Sequence, residues 1–211
     1  MAKILTSIQP YLSCIKDLVT IVSLLIAGYV AIKGLHTWRS QLKGTAEYEL
    51  AKRLLKATYQ LRNALQNTRN PLIMAGETEA ALKEAKLDIK STDKDFQAIS
   101  MAAVYKIRWK YVVDAYKAFE LEELEAEVIW GLEAKRITSI INKNIRELSS
   151  ALDLYLRDIQ SEGKFLDYQS RENIMKIVFS MALTPGEDIY LNDLLIAIKS
   201  IEDFVKPHLK K

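Results

Sequence analysis

Between Asp17 and Lys33 the chain carries no charged residue, and Leu18–Ile32 reads LVTIVSLLIAGYVAI. No other feature constrains the fold as strongly, because fifteen consecutive uncharged, mostly apolar residues must be buried in protein or placed in lipid. A spanning helix wants about 20 such residues, with a lower limit near 17. The flanks supply the difference. Lys33 can snorkel, Gly34 and Leu35 extend the run, and Lys16 and Asp17 suit the opposite headgroup layer. Tyr11, Tyr29 and Trp38 suit interfacial positions. The stretch is therefore expected to span a membrane from about residue 17 to 36. A buried or interfacial helix and a cleaved signal peptide are the competing readings. Against the signal peptide, Lys16 and Asp17 interrupt the leading apolar region, and no small-x-small site precedes a domain start.

Charge is distributed unevenly about this stretch. Residues 33–70 hold Lys33, Arg39, Lys43, Lys52, Arg53, Lys56, Arg62 and Arg69 against Glu47 and Glu49, a net +6. Residues 71–211 hold 20 basic and 24 acidic groups, a net −4. The eight basic residues are the candidate contacts for anionic headgroups or a protein partner. The acidic remainder argues against a specific nucleic-acid binder. The basic excess after the apolar run places the C-terminal body in the cytoplasm and the short N-terminus outside. Ile4–Ile15 is expected to lie in the interface, broken from the span at Pro10. Cys14, the single cysteine, excludes an internal disulfide. Beside a span it is either an acylation site or a small buried or lipid-facing residue.

Seven glycines and four prolines leave few breaks, so helix is expected nearly everywhere. The fold class is all-α: an N-terminal transmembrane helix in residues 1–43, then an antiparallel helical bundle over 44–211. Gly44-Thr45 reads as a bend, with Thr45 capping a helix over Ala46–Asn67. Leu50, Leu54, Ala57, Leu61, Ala64 and Thr68 form its heptad-like seam, facing the body or another copy. Asn70-Pro71 ends it. A short peripheral helix is expected over Glu77–Ile89 and a turn at Ser91-Thr92-Asp93. A long helix over about Lys94–Leu121 would carry Ile99, Ala102, Tyr105, Trp109, Val112, Tyr116 and Phe119 inward, with a continuation or kink near Gly131. Further helices are expected over Lys135–Ser161, over Arg171–Met181 capped by Ser170, and from Thr184-Pro185-Gly186-Glu187 to Val205.

Chemistry is limited by what is missing. Two histidines and one cysteine give no zinc spacing. The glycines are isolated, so no phosphate or dinucleotide loop is expected. Neither His36 nor His208 has a serine nucleophile elbow, and no Arg precedes a His at the spacing of a helical ribonuclease. Glu120, Glu122, Glu123, Glu125 and Glu127 could hold a metal, but a bundle di-iron centre needs Glu-x-x-His pairs. A solvated face, or a contact with the basic segment, is the alternative. Arg62-Asn63 and Arg69-Asn70 share a helix face and could grip a phosphate or carboxylate. No catalytic residue, cofactor or metal site is assigned.

Trp38-Arg39-Ser40-Gln41-Leu42-Lys43-Gly44, continuing through Glu47-Tyr48-Glu49-Leu50-Ala51-Lys52-Arg53-Leu54-Leu55, resembles the juxtamembrane segment of a group of uncharacterised bacterial membrane-anchored proteins. Ile201-Glu202-Asp203-Phe204-Val205-Lys206-Pro207-His208-Leu209 is similar to their ends. The resemblance implies an inner-membrane protein with a cytoplasmic helical body, and no activity. The expected function is a membrane-tethered scaffold or accessory module that binds a protein partner or itself. The alternative is an oligomeric, pore-like effector in phage defence.

Overall fold

The computed structural model describes residues 2–89, 93, 95–180 and 186–209, with side chains from residue 16 onward. The fold is all-α. Among the described residues seven helices follow one another: α1 Ala2–Thr68, α2 Ala75–Glu84, α3 Phe96–Trp130, α4 Leu132–Thr138, α5 Ile141–Gln160, α6 Tyr168–Val178 and α7 Ile189–Val205, closed by a 3-10 turn at Lys206–Leu209. Two compact units divide within α1, residues 1–47 and 48–211.

α1 is the largest departure from expectation. It runs unbroken through Pro10, Gly44 and Thr45. Proline removes one ladder bond and crowds one carbonyl, yet the helix continues through residue 10. Thr45 therefore caps nothing.

In the second unit, side-chain contacts fix the relative directions of the helices. Arg53 meets Glu122, and Thr68 approaches the Arg108 carbonyl, so α1 and α3 run in opposite directions. Tyr59 meets Glu202 and Arg69 meets Asp188, so α1 and α7 do as well. The core is built from Leu50, Leu54, Leu61 and Leu65 of α1, Tyr105, Val112 and Phe119 of α3, Ile141 and Leu148 of α5, and Leu194, Ile198 and Ile201 of α7. The α1 seam thus faces its own body. It is wider than the heptad reading: Ala51, Thr58 and Leu65 are buried, while Ala64 is only half-buried.

Helix boundaries differ from expectation where local chemistry outweighs periodicity. α3 runs on past Leu121 to Trp130, the continuation expected toward Gly131, and stops at Gly131 with φ 80° and ψ −168°. The expected Lys135–Ser161 helix is two helices with a turn at Ser139-Ile140, which leaves Ile140 exposed. Leu195 also faces out, because α7 buries Leu194 and Ala197 instead. α2 starts at Ala75 and ends at Glu84, five residues short of Ile89. α6 is capped by Asp167, which accepts from Ser170 N–H, so Ser170 is the donor and not the cap. α7 is capped by Asp188 and not by Thr184; Thr184, Pro185 and Met181 lie outside the described residues, as do Ser91 and Thr92.

Candidate membrane segment and basic residues

In the first unit every described side chain from residue 16 to 46 is exposed. Leu18, Val19, Ile21, Leu24, Leu25, Ile26, Val30 and Ile32 lie all around the helix rather than along one stripe. A helix that is apolar all round belongs in a core or a membrane. This helix is long and apolar enough to cross one, and none of the apolar window is buried by the protein. Leu18–Ile32 rises about 22 Å at ~1.5 Å per residue, and extension to Leu35 gives about 27 Å. That approaches a hydrocarbon core of about 30 Å.

Two hydroxyls in and beside the band are satisfied locally. Thr20 donates its hydroxyl to the Lys16 carbonyl at 2.8 Å, and Thr37 donates to the Lys33 carbonyl at 3.0 Å. A hydroxyl bonded one turn back needs no water. Lys33 places its ammonium 5.9 Å from the Tyr29 ring centroid. Cys14 precedes the described side chains.

The eight basic residues do not share one role. Lys33 and Arg39 are exposed in the first unit, and Lys43 pairs with Glu47 at 3.7 Å. In the second unit Lys52 and Lys56 are exposed, and Arg62 lies over the Tyr59 ring while donating to the Asn63 side chain. Arg53, itself exposed, is paired within the body, donating to Glu122 at 3.0 Å and to Glu125. Arg69 is a correction to the headgroup set, because it is only 1 % exposed. Its guanidinium forms a bidentate pair with Asp188 at 2.8 and 2.9 Å, donates to the carbonyls of Lys176, Ile177 and Phe179, and stacks on Tyr190. The carboxylate that Arg69 grips is therefore intramolecular.

The glutamate run is not a simple solvated face either. Glu122 and Glu125 hold Arg53, buried Glu123 accepts from Thr138 at 2.7 Å, and Glu127 pairs with Lys135 at 2.8 Å. Among the described residues no group of three histidine, cysteine or carboxylate side chains is arranged to hold a metal.

Two further buried networks are not among the sequence expectations. Arg108 forms a fork with Glu77 at 2.6 and 2.8 Å and donates to the carbonyls of Asn70 and Leu72. Arg171 binds Asp158 at 2.6 Å and donates to the carbonyls of Gly163 and Leu166. Their signal in the sequence is register. Arg108 stands on the inward face between Tyr105 and Val112, and Asp158 on that of Leu148 and Ala151. A charge in core register implies a partner. The carboxylates respond accordingly. The Arg108 hydrogen bonds hold Glu77 below the usual glutamate range, and those of Arg171 do the same for Asp158. Burial pushes Asp188 up, but the bonds from Arg69 and Leu191 N–H outweigh it and the net direction is down.

No protein family, curated protein or solved structure matches this chain.

Proposed function

We propose that this chain is a single-pass inner-membrane protein, spanning at about residues 17–36, whose cytoplasmic helical body binds a protein partner or a second copy of itself. The observation that carries the reading is the helix with its apolar side chains exposed all round and unburied by protein. Water is a poor solvent for a band of that size. The basic residues Lys33, Arg39 and Lys43 follow the band closely and favour a cytoplasmic C-terminal side. The resemblance to bacterial membrane-anchored proteins points the same way.

For the body, support comes from a second exposed apolar feature. Leu121, Leu124 and Val128 recur on one outward face of α3, and Leu132 follows at the start of α4, with Val128 84 % exposed. Much of the neighbouring acidic charge is neutralised by Arg53 and Lys135, so the stripe can meet another protein surface at a low electrostatic cost.

Thiol labelling tests the topology. In a Cys14→Ser background in a bacterial host, Ser7→Cys is expected to react with an impermeant maleimide in intact cells. Lys164→Cys is expected to react only after lysis. The reverse pattern would overturn the orientation, and labelling of both sites in intact cells would overturn the span.

A further inference from the structure

A cleft of about 500 Å³ opens between α5, α6 and the start of α7, a size ordinary for a small-ligand site. Its walls are largely apolar, with Ile177, Phe179, Ile189 and Tyr190 among them, and Glu147, Glu187, Asp188 and Lys176 supply charge. These charges are not equivalent, and Glu187 has contacts of its own. The Lys176 ammonium is already paired with Glu172 at 2.6 Å. Glu147 Oε2 is out of contact with solvent and accepts no hydrogen bond. Asp188, which also lines the cleft, has both oxygens engaged by Arg69. An unsatisfied carboxylate oxygen out of water is costly and calls for a donor.

We infer that this cleft binds an organic cation, an ammonium or guanidinium group on a short alkyl chain, with its charge on Glu147 and its chain against Ile177, Phe179 and Tyr190. A metal ion is a poorer occupant, since among the described residues no three ligating side chains converge. A neutral molecule would leave Glu147 without a charged donor. The inference is independent of the membrane reading, because every residue named lies in the second unit. The cation has two sources: a free small amine, or a lysine side chain of a protein.

The test is a saturation-transfer NMR titration of the full chain in detergent, with butylamine as probe and butanol as its neutral counterpart. Butylamine is expected to saturate and butanol not to. Glu147→Gln is expected to weaken butylamine at least about tenfold, the loss of one charged hydrogen bond, while Glu120→Gln on α3 leaves it unchanged. Ile189→Trp alters a largely exposed wall residue without touching the core, and is expected to block the probe even where Glu147→Gln fails to fold. Equal binding of butanol, no saturation by butylamine, or unchanged binding in Ile189→Trp would each overturn the proposal. Nα-acetyl-lysine amide separates the sources: binding as tight as butylamine assigns a protein side chain, and binding tenfold weaker assigns a free amine.

Discussion

Arg69 shows how one side chain can decide the fate of three helix ends. It follows the last residue of α1, accepts Ser180 N–H at its own carbonyl, and caps the C-terminal carbonyls of α6 with its guanidinium. Those carbonyls have no intrahelical partner and carry the negative end of the helix dipole. Its counterion Asp188 simultaneously caps α7 by accepting Leu191 N–H at 2.9 Å. Removing either charge strands the other in a buried site. Arg69→Met is expected to cost about 3–5 kcal/mol, read as a lower urea midpoint with an unchanged slope. The pair also sets an acid limit. Asp188 has its folded value depressed, so its contribution is complete above the unfolded aspartate pKa of about 3.9. It is lost as pH falls through the lower, folded value. Below about pH 4, Asp188→Asn is expected to show a shallower loss of stability than the native chain. An identical acid slope in both proteins would remove Asp188 from the linkage.

At the scale of elements, the chain treats its glycines in opposite ways. Gly44 sits inside α1 with open space where a Cβ would stand, so Gly44→Ala is expected to raise helix stability by about 0.5–1 kcal/mol. Gly131 joins α3 to α4 at φ 80° and ψ −168°, a region essentially reserved for glycine. Gly131→Ala is expected to cost about 1–3 kcal/mol despite equally open surroundings. Calorimetric midpoints of the two variants should therefore move in opposite directions, and movement of both the same way would refute the unbroken α1. This contrast also marks what the sequence could reveal. The apolar spacing of Leu50, Leu54 and Leu61, and of Tyr105, Val112 and Phe119, identified helices and their inward faces correctly. A glycine next to a threonine looks the same whether the helix stops or continues, because long-range propagation decides. The caps differ from expectation for a related reason: Asp167 and Ser170 are both good cap residues, and only the three-dimensional path of the preceding chain selects one. The arginine networks were hidden because each joins residues far apart in sequence, as with Arg69 and Asp188. Only the inward register of Arg108 and Asp158 announced them.

Across the whole molecule, burial and exposure are sharply segregated. The main core draws its buried residues from Leu50 to Val205, and every described side chain from residue 16 to 46 is exposed. The second unit therefore contains its own core, closed at its joints by Arg53, Arg69, Arg108 and Arg171. At 164 residues, 48–211, it is long enough to bury a sizeable core alone. A fragment of residues 48–211 is expected to be helical by circular dichroism and to unfold in one cooperative transition. Residues 48–68 remain packed in it through Leu50, Leu54, Leu61 and Leu65. In cell fractions the fragment is expected in the alkaline-carbonate supernatant, while the full chain stays with the membrane pellet, because only the full chain carries the apolar band. A fragment that pellets while folded would show that the body itself binds the membrane. A full chain released by carbonate would remove the span. A fragment lacking a cooperative transition would show that residues before 48 are needed to complete the fold.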